Sequence, residues 1–392
     1  MPQWLHCRMA MVGLEIAGLI CFTFVLAILL HPVAYGSSES LPAARHCSEL
    51  GTSAPLGSSY AILKVMNHDP TLLAVVGPTA SGKSHLALEL ASRFGGEILN
   101  CDSLQMFRWF DLGTAKLPPA ERRGVPHHFM DILNPDEQFA AGDYMRQGRA
   151  VMREVSARGR LPIVAGGTGF YLRALIDGLT PSPSRDEPLR QRLQARANQR
   201  ASQGEGEYLH RLLWRIDRTT AATIHANDTP KLIRAIEVCL LGRRPASELF
   251  SEGRATLTGF RVLRLGIDAP REALYGRINL RTAAMFDKGL REPALLGPNL
   301  LEEVQSIIAR GYAATLPPFQ AHGYRQAVDH LEGRITLPEA LYHAQTRTRQ
   351  YAKRQMTWFR KEPAVHWLRG FGSDPAVIEQ AIALVADFIG KT

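Results

Sequence analysis

The sequence has no C-x-x-C pair, and none of its five cysteines (Cys7, Cys21, Cys47, Cys101, Cys239) has a histidine partner at zinc spacing. That excludes a disulfide framework and a structural zinc site, and it fits a reducing compartment. No internal repeat is present, which excludes a repeat architecture. Acidic charge is in deficit: 37 Asp and Glu against 46 Lys and Arg leave a net charge of +9. Before Met66 the charges cancel, with Arg8, Arg45 and Lys64 against Glu15, Glu39 and Glu49, so the whole excess lies in the body of the chain. A basic body suits a polyanionic partner. Hydrophobic and charged contents of 45% and 21% are those of a soluble globular protein, and 392 residues allow one large α/β domain with an insertion, or two domains.

Long apolar runs are also missing, with one exception. Ala10 to Leu30 carries Glu15 as its only charge, and Ser, Pro, Ala and Gly are frequent from Pro32 to Ser59. Such a run reads as a membrane span or a signal peptide. The alternative is that the functional start is Met66, from which Asn67-His68-Asp69-Pro70 leads into the first strand. This second reading is preferred, because the loop described next needs nucleotides or diphosphates found inside the cell. Residues 1–65 are then an extension outside the functional enzyme, the location is cytoplasmic and no stable membrane partner is expected.

The most informative stretch is Leu72-Leu73-Ala74-Val75-Val76 followed by Gly77-Pro78-Thr79-Ala80-Ser81-Gly82-Lys83-Ser84. It fits G-x-x-x-x-G-K-[ST], the phosphate-binding loop. Gly77 and Gly82 allow a tight turn whose backbone N–H groups point at an anion. A helix from Lys83 to Phe94 adds the positive end of its dipole. Lys83 is a point charge for the terminal phosphate, and the Ser84 hydroxyl is a ligand for Mg2+.

Further strands are expected over Glu97–Cys101, His127–Ile132, Leu161–Ala165 and Arg261–Asp268, with a helix over Ala141–Arg158. Strands alternating with helices imply a parallel sheet covered on both faces, with ligands at the carboxyl ends of the strands. The loops beginning at Gly77, Asp102 and Gly166 all leave such ends and are expected to converge on one crevice. Residues 182–260 read as an Arg-rich helical insertion with Pro230 at the start of a helix. Residues 66–181 and 261–392 form the phosphate-loop core, and everything after the last strand at Asp268 reads as helical. The fold class is thus α/β: a phosphate-loop parallel sheet with a helical insertion and a helical C-terminal part.

Taken alone, a phosphate loop indicates a small-molecule kinase or an ATPase, with Asp131 as the only good strand-end acid for magnesium and water. Other blocks point elsewhere. Asp102-Ser103-Leu104-Gln105-Met106-Phe107, Leu112-Gly113-Thr114-Ala115-Lys116, Pro126-His127-His128 and Gly166-Gly167-Thr168 with Tyr171 resemble the tRNA dimethylallyltransferases. So do Asn227-Asp228 before Arg234-Ala235-Ile236-Glu237, Gly323-Tyr324-Arg325-Gln326 and Lys353-Arg354-Gln355-Met356-Thr357-Trp358-Phe359-Arg360. The likeness runs from Met66 to Leu368.

The resemblance implies transfer of a dimethylallyl group from dimethylallyl diphosphate to the exocyclic amine of the adenosine just 3′ of the tRNA anticodon. It implies that Thr79 and Lys83 to Ser84 hold the diphosphate, that Arg281 clamps it from the other side, and that Asp102 is the base for the acceptor amine. It places Ser103, Leu104 and Gln105 at the extruded adenosine and its neighbours. Thr168, Arg190, the segment Pro230-Lys231-Leu232-Ile233-Arg234, the block Gln320-Ala321-His322-Gly323-Tyr324-Arg325 and Lys353 to Arg360 are further tRNA contacts. Two departures stand out. Phe107 replaces a tyrosine and removes one hydroxyl, and Gln320-Ala321-His322 stand where an arginine often begins the block. His127 and His128 read as structural.

Between Ala344 and Lys361 the chain carries Arg347, Arg349, Lys353, Arg354, Arg360 and Lys361 and no acid. Tyr351, Trp358 and Phe359 interleave with them. Such a basic, aromatic helix suits a tRNA anticodon arm, whereas a free nucleotide has no use for it. The competing readings are an adenylate isopentenyltransferase or nucleotide kinase, and a non-catalytic RNA-binding protein that keeps the loop as scaffold. A monomer is expected.

Overall fold

A computed structural model describes residues 69–287 and 298–391. The apolar run Ala10–Leu30 and the rest of residues 1–65 lie outside the described residues, as do residues 288–297 of the segment after Asp268 that reads as helical. No helix among the described residues is long and apolar enough to cross a membrane.

The chain first lays down β1 (Thr71–Val76), α1 (Lys83–Phe94), β2 (Gly96–Asn100), β3 (His127–His128), α2 (Ala141–Ala157), β4 (Leu161–Ala165) and α3 (Gly169–Asp177). Five helices follow: α4 (Glu187–Ser202), α5 (Tyr208–Ile216), α6 (Arg218–Ala221), α7 (Thr229–Gly242) and α8 (Ala246–Ser251). Then come β5 (Arg261–Asp268), α9 (Arg271–Phe286), α10 (Leu300–Ala309), α11 (Tyr324–Leu331), α12 (Leu337–Phe359), β6 (Val365–Arg369) and α13 (Pro375–Gly390). The six strands form one sheet in the order β3-β2-β4-β1-β5-β6, and every pairing is parallel.

The unbroken apolar character of β1 follows from its central place. Leu72, Ala74 and Val76 face one core with residues of α2 and α3, while Leu73 and Val75 face the other with α1 and α13. A strand covered on both faces cannot alternate with polar residues. The helix after β1 lies on one face and the helix after β4 on the other, so the loops leaving these adjacent strands part in opposite directions. That is the point where an open α/β sheet forms its crevice.

Two expectations need correction. The strand expected over His127–Ile132 stops at His128, because Phe129 and Asp131 adopt left-handed backbone angles (φ 62° and 55°) that end the ladder. The segment after Asp268 is not wholly helical: β6 pairs with β5 from Arg264↔Val365 to Asp268↔Arg369. Its brevity and its place at the sheet edge explain why it carries so weak a pattern. Between residues 182 and 260 only helices are found among α4 to α8, and they share a core of Leu193, Leu213, Ile236 and Leu249. A third cluster, built on Phe110, Leu300, Phe319 and Tyr324, joins the 105–116 loop to α10, α11 and α12.

Candidate active site

The phosphate loop takes the shape its sequence requires. Gly77, Ala80 and Gly82 all have positive φ (149°, 65° and 90°). Gly82 is the N-cap of α1 and supplies no side-chain cap, which leaves the first-turn N–H groups to an external acceptor. A Cβ on Gly82 would lie 2.9 Å from the Gly372 nitrogen, so the loop after β6 fits only against a glycine. The Gly372 N–H donates to the Ser81 carbonyl (2.8 Å) and closes that contact. Support from this loop was not expected, because β6 itself was not.

Lys83 donates from Nζ to the Pro78 carbonyl at 2.7 Å, which folds it back over the loop. Burial lowers its pKa to about 8, opposed by the Asp102 charge and reinforced by that of Arg281. Arg281, on α9, donates from Nη2 to the Thr79 hydroxyl at 2.7 Å. Burial depresses its pKa and Asp102 raises it. The Arg281 Nε and the Ser81 hydroxyl are buried without a hydrogen-bond partner. An oxyanion at the loop is a ligand that would satisfy the Arg281 Nε, beside the uncapped first-turn amides of α1.

Asp102 leaves the end of β2. Its Oδ1 accepts the Leu104 N–H at 3.0 Å, the turn-capping use open to any Asp in this position. Asn100 fixes the backbone around it: Nδ2 donates to the carbonyls of Asp102 (3.0 Å) and Phe129 (2.9 Å), and Oδ1 accepts the Asp102 N–H (3.1 Å). Sequence reasoning missed Asn100, for which a polar residue ending a buried strand was the available signal. Burial raises the Asp102 pKa, against the hydrogen bond from Leu104 and the charges of Lys83 and Arg281. These mutual effects place Asp102, Lys83 and Arg281 in one electrostatic neighbourhood.

The third loop leaves β4. A Cβ on Gly166 would lie 2.2 Å from the Cys101 carbonyl carbon, so the two strand-end loops pack backbone against backbone. The Thr168 hydroxyl accepts the Ser103 N–H (3.1 Å), and the Thr168 N–H donates to the Cys101 carbonyl (3.0 Å). The loops at Gly77, Asp102 and Gly166 therefore do meet.

The remaining residues singled out in the sequence divide by burial and by partner. Gln105 donates from Nε2 to the Thr114 carbonyl at 3.1 Å, which ties it to the 112–116 loop. Arg190 grips the fully buried Glu237 through Nε (2.9 Å) and Nη2 (3.0 Å), and Arg234 adds a third bond at 2.6 Å. Lys231 is exposed and bonded to Asp228, while Leu232 and Ile233 are core residues of the insertion. Tyr324 is fully buried, with its hydroxyl donating to Glu303 at 2.5 Å. Its side chain, like those of Leu232, Ile233 and Phe359, is packed inside the protein and reaches no external partner. Gln320 accepts from Arg325 (2.9 Å), and the His322 ring lies tilted against Tyr351 with centroids 5.2 Å apart.

On α12 and at its C-cap, Lys353, Arg354, Thr357 and Arg360 are exposed, whereas Gln355 is buried. Trp358 lies under the Arg173 guanidinium at 4.2 Å. Asp131 is held by Lys116 at 2.6 Å on β3's side of the sheet, three strands or about 14 Å from β1. His127 bonds the Val125 carbonyl and His128 bonds Glu97, each at 2.8 Å, in keeping with structural roles.

For a metal the donor set is sparse. Ser84 is exposed in the first turn of α1, and among the described residues no group of three or more His, Cys, Asp or Glu is placed to hold an ion. One hydroxyl fits a magnesium ion that keeps most of its water and shares its other ligands with a bound phosphate group.

A family profile described as IPP transferase matches residues 105–362. The chain is 55% identical over 320 residues to a tRNA dimethylallyltransferase of Solibacter usitatus, covering 82% of this chain and 99% of that one. It is 51% identical to the enzyme of the same name from Koribacter versatilis, covering 81% and 98%. Among solved structures it resembles the tRNA isopentenylpyrophosphate transferase of Bacillus halodurans (34% identity, TM-score 0.57, 82% and 96% covered). It also resembles a eukaryotic dimethylallyltransferase acting on tRNA (25% identity, TM-score 0.68, 82% and 80% covered). The chain belongs to the IPP transferase family, the family of the tRNA dimethylallyltransferases.

Proposed function

We propose that this protein transfers a dimethylallyl group from dimethylallyl diphosphate to the exocyclic amine of the adenosine 3′-adjacent to the tRNA anticodon, releasing diphosphate. The observation that carries this reading is the convergence of Asp102, at the end of β2, with the Lys83, Thr79 and Arg281 cluster at the end of β1, with β4 between the two strands. One half of that site is cationic and built for an anion. The other half is a carboxylate.

An allylic carbon–oxygen bond breaks readily once its departing diphosphate is stabilised, since the carbon side delocalises the positive charge. Lys83, Arg281 and the first-turn amides of α1 that Gly82 leaves uncapped stabilise the leaving oxygens, and the Thr79 hydroxyl is held toward them by Arg281. The Ser84 hydroxyl would hold a Mg2+ ion, which would supply further positive charge for the diphosphate. As the amine nitrogen bonds to the allylic carbon, its proton passes to the Asp102 carboxylate. Burial raises the pKa of that base toward the working pH, which favours the proton transfer.

The acceptor must be extruded from its stack to reach a site between strand ends. Ser103, Leu104 and Thr168 lie on the loops that line this approach, and the exposed Lys353, Arg354, Thr357 and Arg360 offer the backbone contacts of an anticodon arm. A nucleotide kinase would need an acid free for magnesium and water, and Asp131 is committed to Lys116. Nuclease digestion and mass spectrometry of tRNA treated with the protein, dimethylallyl diphosphate and Mg2+ test the reading. The expected product is one dimethylallyl adenosine beside the anticodon, and an unmodified nucleoside at that position would refute it.

A further inference from the structure

We infer that Gln355 is a positioning residue that sets the separation between the diphosphate half and the acceptor half of the site, and is not a tRNA contact. The inference rests on the proposed transfer reaction. Gln355 lies 5% exposed near the C-terminal end of α12, between the exposed Arg354 and the half-buried Met356. Its amide spans the crevice. Oε1 accepts the Thr79 N–H at 2.8 Å, 276 residues away in the phosphate loop. Nε2 donates to the Gly167 carbonyl at 2.9 Å, in the loop that packs on Cys101 and Asp102.

Both ends of this bridge touch groups whose position matters. Thr79 has its hydroxyl fixed from α9 by Arg281 and its amide fixed from α12 by Gln355, so the residue facing the leaving group is held from two helices. On the other side, a Cβ on Gly167 would lie 2.1 Å from Gln355 Nε2 and 3.7 Å from Asp102 Oδ2, which makes the amide and the carboxylate near neighbours. Only a glycine lets the amide reach this carbonyl. A neutral amide can both donate and accept, so it ties the two loops without adding charge beside the base. A carboxylate could only accept, and would repel Asp102. The bridge thus fixes two reacting partners whose bond-forming distance tolerates little error.

The test compares wild type, Gln355→Met, Gln355→Glu and Gly167→Ala, with kcat and KM for dimethylallyl diphosphate and tRNA, and with anticodon stem-loop affinity measured without diphosphate. Gln355→Met removes both bonds at similar volume, and kcat should fall about 10- to 100-fold while stem-loop affinity stays within about twofold. Gly167→Ala displaces the amide from the other end and should give the same split, which keeps the question open to test if the Met variant folds poorly. In Gln355→Glu the acid limb of the kcat profile should move to higher pH, through the new charge beside Asp102. A merely structural role would move stability and leave that limb in place. Unchanged kcat in Gln355→Met and Gly167→Ala, or a loss of stem-loop affinity in step with kcat, would overturn the inference. Absence of transfer by the wild type would instead refute the proposed reaction.

Discussion

Arg281 and Thr79, 202 residues apart, are joined by a 2.7 Å hydrogen bond from the guanidinium to the hydroxyl, and the bond brings α9 onto the tip of the phosphate loop. It gives the loop a second positive charge opposite Lys83. Removing it should therefore affect the leaving group alone. Arg281→Ala is expected to lower kcat by about a hundredfold, the usual loss for one donor at a developing oxyanion, with stem-loop affinity unchanged. Single-turnover transfer and a filter-binding titration check the two halves, and equal losses in both would remove Arg281 from the diphosphate site.

Among the described residues, Asp102 is the one carboxylate whose charge is felt by both Lys83 and Arg281. Asp102→Asn keeps the acceptor for the Leu104 N–H and so preserves the turn, but it cannot take the amine proton. Turnover should drop on the order of a hundredfold with tRNA affinity retained. A fully active Asn variant would leave Asp102 with its turn-capping role and nothing more.

The two perturbed groups of the free enzyme shape its pH profile. Asp102 must be ionised to act, and its raised pKa puts the acid limb of kcat/KM above the ordinary carboxylate range. Lys83 must be protonated to hold diphosphate, and with its pKa lowered to about 8 the alkaline limb should fall near that pH. In Lys83→Arg the alkaline limb should disappear, since guanidinium does not titrate there. An alkaline limb unmoved by that change would belong to another group.

Stability at low pH should depend on Glu237. Burial would raise this carboxyl, but the hydrogen bonds from Arg190, Arg234 and the Asp186 amide overcome it and bring the pKa down to about 2. A depressed folded-state value means stability fully present above the unfolded pKa near 4.5 and lost as pH falls toward 2. Glu237→Gln leaves two arginines without their partner and should cost roughly 2–4 kcal/mol, near the lower figure because both arginines are partly exposed. Urea melts at pH 7 and pH 3 check this: the gap between wild type and variant should narrow at the lower pH. A constant gap would mean the carboxylate charge is not what stabilises the insertion.

Much of this site was legible in the sequence because it is local. Gly77 to Ser84 determine their own turn, and the buried strand before them and the helix after them follow from residues within reach of one another. Asp102 and Gly166 could be placed at strand ends by the same reasoning. Contacts across hundreds of residues could not. Arg281 looks like any exposed helix arginine until α9 is set against Thr79, and the resemblance alone pointed to it. Gln355 sits among basic residues that suit RNA, and only the fold shows that this one position turns inward. Tyr324 misleads for the same reason, since a tyrosine in a glycine-rich block suits a binding surface as well as the Glu303 pocket it fills. Val365 to Arg369 hid a strand because His366 and Arg369 are exposed at the sheet edge, leaving little apolar pattern to read.

The choice of acceptor tests the central claim most directly. The full chain is incubated with labelled dimethylallyl diphosphate and Mg2+, and is offered unmodified tRNA or adenosine monophosphate at two salt concentrations. The account predicts label in tRNA alone, with tRNA affinity falling steeply between 50 and 200 mM salt, by roughly tenfold or more, as Arg347, Lys353, Arg354, Arg360 and Lys361 release counterions from the anticodon arm. Label in the mononucleotide and none in tRNA would contradict it.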